Sequence, residues 1–144
     1  MKATPESVAL LLISILAPGG LARAHTEVRA IAKLKSTGHQ SVCPLTGKRT
    51  FGAALAAILS NEDLAQRVEL LTLEQWPPPT ITPLNALMPD RFGASFIYKP
   101  VGKPKDVTSN FSEPAAAQRP PLGVTSQLFF PLQEIAHALK EANK

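Results

Sequence analysis

Apolar residues recur at helical spacing in four segments of the chain and at strand spacing in one, and this pattern predicts the main elements. In the clearest helical segment, Thr50 can cap the first turn, and the apolar residues after it share one helix face. These residues are Phe51, Ala54, Leu55, Ile58 and Leu59. The spacing therefore predicts a helix with a continuous apolar stripe.

Two further helices are expected before residue 76. Thr26 can cap a helix that runs to Lys35 and stops before a glycine. Ser60 and Asp63 resemble a capping box, with Asp where Glu or Gln is preferred. This pair predicts a helix that opens at residue 60 and continues to about Glu74, joined to the preceding helix by almost no loop.

The last helix follows Pro131, because proline suits the first helical position. Its apolar stripe consists of Leu132, Ile135, Ala136 and Leu139. This spacing again marks one helix face, so the helix is expected to pack against other elements.

The second half of the chain has the spacing of strands. Phe92, Ala94, Phe96 and Tyr98 alternate with other residues at the two-residue period of a half-buried strand. A turn over 100–104 leads to a second strand over 106–111, and a third is expected over 122–129. About three antiparallel strands are the minimum for a sheet that is stable in water.

Together these elements predict the α+β fold class, with N-terminal helices, a Pro-rich extended segment, a small antiparallel sheet and a C-terminal helix. The prolines after residue 76 fix φ and favour extended backbone. We expect one domain over 25–144, divided into a helical part (25–76), a Pro-rich segment (77–91), a strand-rich part (92–130) and a C-terminal helix (131–143).

The first 24 residues have the order of a secretory signal peptide. Lys2 precedes an apolar run over 8–17, and Ala22 and Ala24 form an A-x-A cleavage site. The run is shorter than the roughly 20 residues that span a bilayer. We therefore expect export to a bacterial periplasm or to the medium, with a mature chain that begins at His25.

Charge narrows the choice of partners. The 144-residue chain has a formal net charge of +4, and its basic residues do not form a run. Nucleic-acid-binding domains concentrate Lys and Arg on one face, so nucleic acid is not an expected partner. Contact with an anionic membrane surface remains compatible with this charge, because each basic residue near such a surface contributes roughly 1 kcal/mol.

Cys43 is the only cysteine, which excludes a disulfide within the chain. Two interpretations remain open. The thiol is buried and inert, or it forms a disulfide between two copies and makes a homodimer. The first is favoured over the second.

Cleavage before His25 would give the chain an N-terminal histidine, whose α-amine and ring nitrogen can bind one metal ion. With His39 or His137 as a further ligand, the arrangement resembles the copper histidine brace of lytic polysaccharide monooxygenases and related small copper proteins. The resemblance implies copper as cofactor, since such nitrogen ligands suit tetragonal Cu(II). It rests on the position of one residue and on no surrounding motif.

The sequence contains no HExxH motif, no paired CxxC motifs and no complete phosphate-binding loop. The leading hypothesis is an exported binding or assembly accessory protein without catalytic activity, whose partner is an envelope or secreted protein. That partner would cover the Pro-rich segment or an exposed strand. One alternative is a copper-binding protein that uses His25, and another is a small hydrolase with an unrecognised site.

Overall fold

The computed structural model describes residues 3–16, 28–37, 41–76, 91–102, 105–112, 124–128 and 132–143. Its elements in chain order are α1 (Pro5–Leu16), α2 (28–32), β1 (Lys35–Ser36), α3 (Phe51–Leu59), α4 (Glu62–Arg67), β2 (Val68–Trp76), β3 (Arg91–Tyr98), β4 (Val107–Ser112), β5 (Val124–Leu128) and α5 (Leu132–Ala142).

The five strands form one antiparallel sheet in the order β1-β4-β3-β2-β5. Together with the helices, the sheet confirms the predicted α+β fold class. The strands predicted over 92–98, 106–111 and 122–129 correspond to β3, β4 and β5. Residues 77–90 of the predicted Pro-rich segment lie outside the described residues.

One face of the sheet carries the core. Leu71 on β2 pairs with Phe96 on β3, and Ala94 pairs with Phe111 on β4, so these side chains share a face. Phe51 of α3 stacks on Phe96 at a ring-centroid distance of 5.2 Å and meets Phe111 edge-on at 5.4 Å. Helix α3 therefore lies on this face, and α1, α4 and α5 pack against α3.

Local sequence explains why α3 begins where it does. The Thr50 hydroxyl accepts a hydrogen bond from the Ala53 N–H at 3.4 Å, which confirms the predicted N-cap. All five residues of the predicted stripe are buried. The C-terminal stripe is confirmed in α5 as well, where Leu132, Ala136 and Leu139 are buried and Ile135 is partly buried.

The helix predicted to continue to Glu74 is wrong. Helix α4 ends at Arg67, and Val68–Trp76 forms β2, which pairs with β3 on one side and β5 on the other. Its leucines fit a helical stripe and also the two-residue period of a strand, so local spacing could not separate the two states. This segment forms a strand because its backbone hydrogen-bonds to β3 along one edge and to β5 along the other.

The cap of α4 also differs from the prediction. Asn61, rather than Ser60, is the N-cap, because its Oδ1 accepts from the N–H groups of Asp63 and Leu64 at 2.9 and 3.4 Å. Ser60 instead ends α3, and its hydroxyl donates to the Ala57 carbonyl.

The helix predicted to reach Lys35 is also too long, so the segment 25–76 is not wholly helical. Helix α2 spans 28–32, and Lys35–Ser36 forms β1 beside β4. The Ser36 N–H donates to the Arg49 carbonyl at 2.9 Å, and the Thr37 N–H donates to the Asn110 carbonyl at 2.9 Å. These N–H groups therefore bond to carbonyls far away in the sequence instead of to the carbonyls four residues earlier, as they would in a helix. The backbone at Lys35–Ser36 is extended as a result.

Candidate functional site

The first helix, α1, is part of the core, although its residues belong to the predicted signal peptide. Ala9 and Ile13, one helical turn apart, are each 1% exposed, and α1 packs on α3. Val8, Leu12 and Leu16 are partly buried against the same core. We call the surface of α3, β5 and α5 that contacts or adjoins α1 the α1 seat.

The start of α1 is tied to the end of α5. The side-chain amide of Asn143 donates to the Ala3 carbonyl at 2.8 Å, and it also donates to the Leu139 carbonyl at 2.9 Å. Pro5, at the start of α1, and Leu59, the last residue of α3, line the same cavity.

The outer face of α1 is apolar and uncovered in the part of the chain that is described. Leu10, Leu11 and Ile15 are 43%, 58% and 63% exposed. None of the described helices is both long enough and apolar enough to cross a membrane.

A cavity of about 640 Å³ adjoins the α1 seat, a volume in the range of small-molecule sites. Its apolar lining residues are Leu59, Ala136 and Leu139, which are buried, and Pro5 of α1. Charged residues of α4 and α5 form part of its rim, including Glu62 and Lys140.

Glu62 of α4 interacts with two basic side chains of α5, His137 and Lys140. Its Oε1 lies 3.1 Å from the His137 Nδ1 and 3.9 Å from the Lys140 Nζ, and all three side chains contact solvent. His137 is thus placed beside a carboxylate at the surface. His25 and His39, the other two predicted copper ligands, lie outside the described residues.

Within the described ranges, no three His, Cys, Asp or Glu side chains are grouped so that they could hold a metal ion. The copper site at His25 stays a prediction.

Cys43 is fully buried, as the favoured interpretation expected. Its thiol donates to the Ser109 hydroxyl at 3.5 Å, and Ser109 is also a hydrogen-bond partner of the Tyr98 side chain. Burial raises the pKa of Tyr98, and the hydrogen bond from Ser109 opposes that rise. A disulfide to a second chain would require the loop that carries Cys43 to open.

A second charged cluster joins β2, β3 and the chain before β4. The Lys99 Nζ lies 3.1 Å from the Glu69 Oε1. The hydrogen bond from Lys99, and a second from Asp106, lower the pKa of Glu69. The hydrogen bond with Glu69 and the negative charge of Glu69 raise the pKa of Asp106.

Sequence reasoning found the apolar run over residues 8–17 but missed the place of α1 in the core. The composition of α3 was a signal that another element covers it. Nearly every position of α3 is apolar, and a helix that is apolar on all sides needs cover on all sides. The sheet covers part of α3 through Phe96 and Phe111, α4 and α5 cover a further part, and α1 covers another.

The comparisons with known proteins add no relative: no family model, no curated protein and no solved structure matches this chain.

Proposed function

We propose that this protein is an exported accessory protein that binds another envelope or secreted protein, and that removal of residues 1–24 uncovers its binding surface. The packing of α1 on α3 carries the proposal, because the segment with the features of a signal peptide is also a segment of the core.

Cleavage after Ala24 would leave the α1 seat without its cover. Ile13 alone is 1% exposed, and burial of such a side chain contributes roughly 1.5 to 3 kcal/mol. The surface of α3 that contacts α1 would also become exposed to water. A contiguous apolar surface of this kind is typical of a protein interaction site.

The test begins with export of the full chain from a bacterial host and the mass of the exported product. We expect a product that begins at His25 and binds an apolar fluorescent dye at the α1 seat. A control variant with arginine at both cleavage positions, Ala22→Arg and Ala24→Arg, keeps α1 attached and should bind less dye.

Crosslinking at the cell envelope then tests the partner. The cleaved product should crosslink to an envelope or secreted protein through residues of α3, and the uncleavable variant should not. A wild-type product that retains residues 1–24, or a cleaved product that neither binds dye nor crosslinks, would contradict the proposal.

A further inference from the structure

We infer that the α1 seat is a docking site for an α-helix of a partner protein whose docking face is apolar and uncharged, and that α1 is its intramolecular occupant before cleavage. This inference rests on the proposed function and adds the chemistry of the partner. Its evidence is the geometry with which α1 occupies the seat.

The seat contacts one face of its helix. Ile13 is 1% exposed, whereas Ile15, two residues later, is 63% exposed. A helical partner therefore needs a small side chain at the position of Ala9 and a branched apolar side chain one turn later, at the position of Ile13. Its remaining face is free to carry any residue.

The seat also holds the start of the helix through a backbone group. Asn143 donates to the Ala3 carbonyl, and every residue type has a carbonyl at that position. A helix of different sequence can therefore enter the seat with the same direction and the same anchor.

The α1 helix does not fill all the space at this end. The cavity of about 640 Å³ beside Pro5 is lined by the apolar residues Leu59, Ala136 and Leu139 and by polar and charged residues of α4 and α5. A partner helix with a larger side chain in its first turn would bury additional apolar surface there and could displace α1.

The occupant comes from another protein rather than from a second copy. Among the described helices that a mature chain would keep, α2, α3 and α5 already use their apolar residues in the core. Helix α4 has six residues and only Ala65 of them is buried.

The experiment uses the full chain with a site for a specific protease introduced between residues 17 and 24. The chain is folded and then cut, and a fluorescent peptide of residues 3–16 is added so that it can exchange with the cut α1. Two peptide variants form a matched pair, since Ile13→Asp changes the buried isoleucine and Ile15→Asp changes the exposed one.

We expect the wild-type and Ile15→Asp peptides to bind the cut chain with similar affinity, and the Ile13→Asp peptide to bind at least about tenfold more weakly. In the uncut chain, where α1 is tethered, the wild-type peptide should bind at least about tenfold more weakly as well.

Equal binding of the two aspartate peptides would overturn the inference. So would unfolding of the chain on cutting, because α1 would then be a permanent part of the fold. Dimerisation of the cut chain would assign the seat to a second copy, and flotation with anionic vesicles would assign it to lipid; either result would also overturn it.

The two proposals fail separately. The mass of the exported product tests cleavage in the cell, while peptide exchange tests the seat with a protease added by the experimenter. A seat that discriminates Ile13→Asp from Ile15→Asp would support helix docking even if the exported product retained residues 1–24.

Discussion

At Gly52, α3 approaches α2 more closely than any larger residue would allow. A Cβ at this position would lie 2.9 Å from the Ala32 Cβ and 3.1 Å from the Ala32 carbonyl oxygen. The role of this glycine is therefore to let two backbones approach, since its position inside a helix carries no conformational advantage.

We predict that Gly52→Ala destabilises the protein by about 1 kcal/mol, within a range of about 0 to 2.5 kcal/mol. Helix propensity favours alanine by about 0.5 to 1 kcal/mol, but overpacking costs about 1 to 3 kcal/mol. Urea unfolding measures the difference. In a double-mutant cycle, Ala32→Gly removes one clashing atom and should show coupling with Gly52→Ala. A stabilised Gly52→Ala variant would mean that the helices are farther apart.

The Glu69 cluster makes a prediction about pH. Lys99→Gln removes the positive charge of the hydrogen-bond donor that contributes most to the low pKa of Glu69, so this pKa should rise toward its usual range. Carboxyl-carbon NMR titration measures the shift, with Lys48→Gln as a control at another exposed lysine. An unchanged Glu69 titration in Lys99→Gln would contradict the contact.

The sign of the effect on stability follows from the direction of each shift. The lowered pKa of Glu69 stabilises the fold at neutral pH, and this contribution is lost as pH falls through the folded-state pKa. The raised pKa of Asp106 acts oppositely: it favours the fold at low pH, and that contribution is lost as pH rises through the folded-state pKa.

At the scale of elements, the boundary between α3 and α4 depends on two adjacent polar residues with different roles. Ser60 ends one helix and Asn61 begins the next. Both types are common N-caps, so composition alone did not say which residue would cap α4. The backbone geometry of the junction decides it.

We predict that Asn61→Ala costs about 1 kcal/mol of stability, because two N–H groups of α4 lose their acceptor. Ser60→Ala serves as the matched control and should change stability by less than about 0.5 kcal/mol, since its hydroxyl only donates to an exposed carbonyl. Chemical unfolding of the two variants compares them. A larger loss of stability in Ser60→Ala than in Asn61→Ala would instead support Ser60 as the N-cap of α4.

For the whole molecule, the main question is how far α1 supports the fold. The core is continuous from Ala9 and Ile13 on α1, through α3, to the aromatic cluster of Phe51, Phe96 and Phe111. A chain that loses α1 keeps the contacts of α3 with the sheet but loses one side of its helical layer.

We predict that Ile13→Ala destabilises the full chain by about 2 to 5 kcal/mol, as expected for a large-to-small change in a core. Ile15→Ala is matched in residue type and helix, but its side chain is exposed, so it should change stability by less than about 0.5 kcal/mol. Thermal or urea unfolding of uncleaved protein measures both. Equal effects would show that α1 does not pack by its Ala9 and Ile13 face.

The sequence by itself determined the elements whose periodicity has one solution: α3 with its Thr50 cap, α5, and the alternating strand β3. It also indicated an apolar run over residues 8–17. Tertiary structure alone decided the state of Val68–Trp76 and the position of α1. Periodicity reports which residues share a face within one element, whereas strand pairing and helix docking depend on partners far away in the chain. The same limit applies to Glu62 and His137, which are 75 residues apart in sequence and 3.1 Å apart in the fold.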